Sequence, residues 1–166
     1  MYVPIKKVCF IGAGTMGCFN SLLASAAGYE CVIYDPCEES LKNRASNQAE
    51  LADFLNHDNF FKGVDVNAAI KKIYDCSDLK FALDGVDLVS ESIPENLELK
   101  KQLFQELESL VSKKTIITTN TSGLSLEVLS NQFSPKHQFA AMHFHLGSRL
   151  VDIVRGTHTS EETIIS

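Results

Sequence analysis

The segment AMHFHLGSRLVD, from Ala141 to Asp152, holds His143, His145 and Asp152, three side chains able to move a proton or hold a cation. Side chains two apart on a strand share a face, which brings the two imidazoles together. A neutral imidazole suits general-base work near neutral pH, and a carboxylate on its other nitrogen fixes the tautomer and stabilises the imidazolium that forms. Two other readings stand beside it. One is a metal site, with His137 near in sequence; the other is a buried strand whose histidines are satisfied by backbone. Zinc takes three or four convergent ligands, and no cysteine or second acidic cluster is placed to complete a set. No metal is therefore expected.

A second group lies at the start of the chain. Gly12-Ala13-Gly14-Thr15-Met16-Gly17 is G-x-G-x-x-G, following the apolar run KKVCFIG and opening a helical pattern. In that context the first glycine makes a tight turn, the second lets a pyrophosphate approach the backbone, and the third lets helix and strand pack closely. The helix N-terminus receives the anion on free N–H groups. Asp35 ends the next strand, where a carboxylate accepts ribose hydroxyls and repels a 2′-phosphate. Pro36 and Cys37 follow it rather than an arginine, so the expected cofactor is NAD, not NADP.

The elements that must position these residues alternate along the chain. KKVCFIG reads as a strand, TMGCFNSLLASAAG as a helix ending at Gly28, and ECVIYD as a second strand. A helix from Glu38 to Asn56 follows, then a strand at AIKKIYDC, a short helix after Ser77, and a strand at VDLVSESI. PENLELKKQLFQELESLV has the strongest helical pattern, with Pro94 in its first turn and a stripe of Leu97, Leu103, Phe104, Leu107 and Leu110. TIITTN, QFAAMHF and LVDIVRG read as strands and LSLEVLSNQ as a helix. HDNFFKGVDVN carries no clear period. Such alternation predicts an α/β fold of the Rossmann type, a doubly wound, mainly parallel sheet flanked by helices. Ligands then collect beyond the carboxyl ends of the strands, where Asn120, Thr121, Ser122 and His143 fall.

The 166 residues suffice for one well-buried domain, spanning residues 1–166. A net charge of −6 argues against nucleic acid as a partner. Five cysteines without a C-x-x-C point to a reducing compartment, read as the cytoplasm. No apolar run reaches the roughly 18 residues of a membrane span, so no membrane partner is expected. The final TSEETIIS shows no evident cap, which raises the expectation of a natural continuation.

With these motifs in place, the chain resembles the NAD-binding domain of the L-3-hydroxyacyl-CoA dehydrogenases of fatty acid β-oxidation. VCFIGAGTMG, VDLVSESIPENLELKKQLFQEL, TTNTSGLSLEVL, MHF and LVDIVRGTHTSEET recur in the family's order over nearly the whole chain. The resemblance implies NAD-dependent hydride transfer to or from a 3-hydroxyacyl thioester. It puts the general base at His143, favoured over His145 because only the former matches the family's HF. It puts the oxygen-binding serine at Ser122 and cofactor contacts at Met16, Asp35, Glu95, Lys100, Asn120 and Ser122, beside Gly12, Gly14, Thr15 and Gly17 of the loop.

The chain departs from the family in four places. After the HF the family continues with phenylalanine and Asn-Pro, whereas this chain has His145-Leu146-Gly147-Ser148-Arg149 and a shorter loop. Asp152 stands where the family has the glutamate that orients the base; it is shorter by one methylene, about 1.5 Å of reach. Phe19 replaces a usual glycine. The family's C-terminal helical domain, which completes its site and its dimer, has no counterpart here, so a homodimer or a separate helical partner remains open. Acyl-CoA is the small-molecule substrate by analogy alone. Lys62, Lys71 and Lys72 read as a solvated face before they read as a CoA phosphate site.

Overall fold

The computed structural model describes residues 4–56, 59–132, 134 and 136–166. Its elements run β1 (Lys7–Ile11), α1 (Thr15–Ala26), β2 (Glu30–Tyr34), α2 (Glu38–Leu55), α3 (Val66–Lys71), β3 (Tyr74–Cys76), α4 (Leu79–Ala82) and β4 (Leu88–Glu91). α5 (Leu97–Leu110), β5 (Ile116–Thr119), α6 (Leu126–Ser130), β6 (Phe139–Phe144), β7 (Val151–Arg155) and α7 (Glu161–Ile165) complete it. The strands form one sheet in the order β3-β2-β1-β4-β5-β6-β7. β1 to β6 are parallel, and β7 returns antiparallel on β6. This is the doubly wound Rossmann-type α/β fold that the alternation predicts.

Strand β1 shows why the sheet is covered on both sides. Cys9 and Ile11 join the core under α4, α5 and α6 with Leu79, Phe104, Leu107 and Leu129. Val8 and Phe10 join the opposite core with Leu41 of α2 and Ala24 of α1. Alternate residues of one strand thus feed two layers, and a continuously apolar run is what such a strand requires. Strand order reverses between β2-β1 and β1-β4, so the crevice of an open α/β sheet opens beyond the carboxyl ends of β1 and β4.

Local chemistry explains the helix limits. Gly28 follows the C-cap Ala27 of α1 with φ of 96°, a left-handed residue closing the helix. Asn96 caps α5, its side chain accepting from the N–H groups of Glu98 and Leu99. Pro94 therefore precedes the helix instead of lying in its first turn. Along α5, Phe104 and Leu107 are buried, while Leu97, Leu103 and Leu110 pack half-buried against the same core.

One other expectation needs correcting, and two further segments gain detail. In AIKKIYDC only Tyr74–Cys76 is strand; Ala69, Ile70 and Lys71 belong to α3, started by Asp65 as N-cap and held by packing of Ala69 and Ile70 against Leu22 and Ala52. β-branched content outweighed helical burial in that reading. In HDNFFKGVDVN, residues 57 and 58 lie outside the described residues, Asn59 to Gly63 form turns, and Val66 and Asn67 begin α3. TSEETIIS holds the short helix α7, which starts at Ser160, whose side chain accepts from the N–H of Thr163. No helix among the described residues is long and apolar enough to cross a membrane.

Candidate active site

The glycine loop shows three different needs at its three glycines. Gly12 has φ of 102°, and a Cβ there would lie 2.8 Å from the carbonyl oxygen of Ser92, so the turn is closed to other residues. At Gly17 a Cβ would come within 1.7 Å of the Gly12 carbonyl oxygen, the close helix–strand contact expected of the third glycine. Around Gly14 a Cβ would meet nothing within 4 Å, so the backbone is open on the side from which a ligand arrives. Helix α1 starts there with no side-chain cap and no acidic residue in its first turn. Its N–H groups, at exposed Thr15 and half-buried Met16, are therefore available to a pyrophosphate.

Asp35 sits beside this loop at the end of β2. One carboxylate oxygen accepts from the N–H of Ala13 at 2.8 Å and the other from the N–H of Cys37 at 2.9 Å. The carboxylate is thus locked in place with lone pairs left for ribose hydroxyls. These features fit a dinucleotide. Phe19, at the position of the usual glycine, is fully buried and packs with its ring centroid 6.0 Å from that of Phe60, tying α1 to the segment after α2.

Beyond β4 and β5 lies a polar network beneath the surface. Lys100 of α5 is 1% exposed and Glu91 at the end of β4 is wholly buried, with Nζ and Oε1 2.5 Å apart. Glu91 also accepts from the Thr119 hydroxyl at 2.5 Å and the N–H of Ile93 at 2.7 Å. Lys100 reaches Glu95 at 3.4 Å. Glu95 in turn accepts from the Thr121 hydroxyl at 2.5 Å and the N–H groups of Ser122 and Gly123 at 3.0 and 3.3 Å. Partial burial by itself would raise the Glu95 carboxyl; the Thr121 hydroxyl, the Lys100 charge and the two N–H groups outweigh it and hold the carboxyl below its ordinary value. Lys100 therefore lies under Glu95, and Glu95 holds the loop that carries Ser122.

Ser122 and His143 meet above this network. Ser122 Oγ lies 3.0 Å from His143 Nε2. Asn120 Oδ1 accepts from the N–H of Phe144 at 2.7 Å, which ties the end of β5 to the end of β6 and sets the distance between the two. The resemblance puts a cofactor contact at Asn120, and its side-chain oxygen also joins the two strand ends. The side chain of His137 lies outside the described residues.

The expected contact between Asp152 and His143 is not the one formed. The two residues are directly opposed across β6 and β7, but Asp152 Oδ2 lies 2.8 Å from His145 Nε2. The short turn that follows β6, with Gly147 at φ of 77° and the N–H of Ser148 on the His145 carbonyl, keeps His145 at the strand end. The shortened carboxylate takes this neighbour, and the two imidazole rings stand edge to face with centroids 4.6 Å apart. Arg149 in the same turn stacks 5.1 Å from the Phe60 ring centroid and donates to the Phe60 carbonyl, so the turn leans on the segment after α2.

Sequence reasoning did not single out Glu91. The signal for Glu91 was present, as a polar Ser-Glu pair inside the otherwise apolar run VDLVSESI, since a carboxylate in a buried strand needs a cation partner. The partner of Asp152 had no such signal, because it depends on the turn between the strands. Lys62, Lys71 and Lys72 are all exposed, as a solvated face requires.

Known proteins share this arrangement in outline. Residues 7–166 match the profile of the family described as 3-hydroxyacyl-CoA dehydrogenase, NAD binding domain. The mitochondrial hydroxyacyl-coenzyme A dehydrogenase of Rattus norvegicus is 31% identical over 99% of this chain and 55% of its own length. The 3-hydroxyadipyl-CoA dehydrogenase of Escherichia coli K12 is 29% identical, with 35% of its length covered. The crystal structure of 3-hydroxybutyryl-CoA dehydrogenase from Escherichia coli K12 superposes with a TM-score of 0.86 at 28% identity, over 98% of this chain and 35% of that one. The chain thus spans about half, or less, of the length of these relatives. It belongs to the 3-hydroxyacyl-CoA dehydrogenase family, of which it represents the NAD-binding domain.

Proposed function

We propose that this chain carries the cofactor site and the proton-transfer residues of an NAD-dependent 3-hydroxyacyl-CoA dehydrogenase, interconverting 3-hydroxyacyl and 3-oxoacyl thioesters. The observation that supports it most is the 3.0 Å approach of Ser122 Oγ to His143 Nε2, at the same end of the parallel sheet as the glycine loop. NAD, when bound, supplies the hydride acceptor. Gly14 and the first turn of α1 hold the pyrophosphate, and Asp35 holds a ribose. Ser122 donates a hydrogen bond to the substrate's C3 oxygen, and His143 Nε2 takes the hydroxyl proton as that carbon is oxidised. Asp152 acts at one remove: it orients His145, whose ring packs on His143, and its negative charge favours the imidazolium. In the reverse direction His143 returns the proton to the same oxygen.

The reading is tested with acetoacetyl-CoA and NADH, following loss of the reduced nicotinamide absorbance and NADH fluorescence together in wild type and His143→Ala. The variant should lose turnover and keep cofactor binding. A variant that keeps its rate would overturn the assignment of the base. Another small 3-hydroxy acid in place of the thioester would appear as turnover without any dependence on the CoA moiety.

A second reading has an observation of its own. Leu150, just before the edge strand β7, is 73% exposed, and Ile153 and Val154 within that strand are 51% and 49% exposed. Exposed apolar side chains along an edge strand favour an NAD-binding module that works only with a separate helical domain or a second copy of this chain. NADH binding without turnover, restored by adding such a partner, distinguishes this reading from the first. The five cysteines are free, which suits a reducing compartment such as the cytoplasm.

A further inference from the structure

We propose that His143, His145 and Asp152 form a site for a divalent cation of the zinc class, and that a bound cation shuts off the base. From the sequence a metal lacked convergent ligands. The fold supplies them: one ligand atom from each of the three residues lies within 4.8 Å of the other two. The two histidines share a face of β6 and its extension, and antiparallel pairing brings Asp152 from β7 onto the same face. Zinc bound at about 2.0–2.2 Å to nitrogen and oxygen places tetrahedral ligands roughly 3.4 Å apart. His145 Nε2 and Asp152 Oδ2, now 2.8 Å apart, need only open slightly, and the remaining pairs need only close by about an ångström or so.

The donor set is chemically selective. Two neutral imidazoles and one carboxylate suit zinc, cobalt and their neighbours, whereas magnesium and calcium take oxygen ligands. With three protein ligands a fourth position is left for water. His143 is half-buried while His145 and Asp152 are exposed, so a cation can reach the site from solvent, and the net charge of −6 favours its approach.

Coordination and base catalysis exclude one another at His143. A neutral imidazole has one N–H and one lone pair. If the cation takes Nε2, the lone pair facing Ser122 is gone; if it takes Nδ1, the ring proton must sit on Nε2. Either way Nε2 cannot accept the substrate's proton. The cation site stands on geometry alone, and its effect on turnover rests on the dehydrogenase reading above.

Equilibrium dialysis of the chain against Zn²⁺, with Co²⁺ as a spectroscopic probe and Mg²⁺ as competitor, tests the site. One Zn²⁺ per chain is expected, with Co²⁺ filling the zinc-free site to give a four-coordinate visible spectrum that added Zn²⁺ abolishes and Mg²⁺ leaves unchanged. His145→Phe and Asp152→Asn should each weaken binding at least as much as loss of a residue that merely hydrogen-bonds a ligand, about 10–100-fold. NADH binding in both variants confirms that they fold. Absence of saturable binding, equal displacement by Mg²⁺, or binding that survives in both variants as adventitious sites at His57, His137 or His158 would give, overturns the proposal. Saturating Zn²⁺ should stop NADH turnover and a chelator restore it; turnover untouched by bound zinc overturns the shut-off. Zinc binding with the expected variant losses in a chain that never oxidises NADH would sink the dehydrogenase reading and leave the cation site standing.

Discussion

Asp152 faces His143 across the strand pair but gives its carboxylate to His145, at 2.8 Å. The base is therefore supported indirectly. Because the group is exposed, its remaining help to an imidazolium at His143 is a through-water attraction of about 1 kcal/mol. Asp152→Asn should lower kcat by roughly fivefold, with NADH binding unchanged. A loss of several thousandfold would mean that the carboxylate orients His143 directly during turnover.

Gly14 and Gly17 should respond in opposite ways to the same added methyl group. Gly14→Ala meets open space at a φ of −74°, so the fold and Tm should hold while NADH affinity drops. Gly17→Ala would drive a Cβ to within 1.7 Å of a backbone oxygen, and should destabilise the domain by roughly 1–3 kcal/mol or more. Thermal melts with NADH titrations separate the two. Normal NADH affinity in Gly14→Ala would contradict a pyrophosphate at that backbone.

Lys100 and Glu91 are both buried and paired at 2.5 Å. Lys100→Met should cost about 3–5 kcal/mol, because it leaves Glu91 charged in the interior without a partner. Urea denaturation measures it. A change below about 1 kcal/mol would mean that Glu91 finds other relief.

Glu95 makes a pH-dependent contribution of definite sign. Its folded pKa lies below the ordinary carboxylate value, so its stabilisation is fully present above the unfolded pKa of about 4.3 and is lost as pH falls through the lower folded value. The stability gap between wild type and Glu95→Gln should thus be constant from pH 7 to 5 and shrink below that. Denaturation series at several pH values check this; a gap that widens in acid would contradict the depressed pKa.

The residues whose roles follow from local pattern were legible in the sequence. The glycine loop, Asp35 and the strand-helix alternation rest on near-neighbour sterics and periodicity, and the structure places them where those arguments do. Asp152 was misread because its partner depends on the geometry of the turn from His145 to Leu150, which pairing register alone does not determine. The burial of Lys100 was not legible, because the resemblance that makes it and Asn120 cofactor contacts carries no information about depth; the packing of α5 on the sheet put Lys100 under Glu95. Strand AIKKIYDC failed for the opposite reason, a β-rich composition overridden by the helical packing of Ala69 and Ile70 on α1 and α2.

The most direct test is the rate of NADH oxidation by acetoacetyl-CoA in wild type and His143→Ala, with NADH fluorescence read in the same cuvette. Turnover should scale with protein and fall by about 10²–10⁴-fold in the variant, the usual worth of a general base, while NADH binds both equally. An undiminished rate in His143→Ala, or a wild type that binds NADH and never oxidises it, would contradict the account.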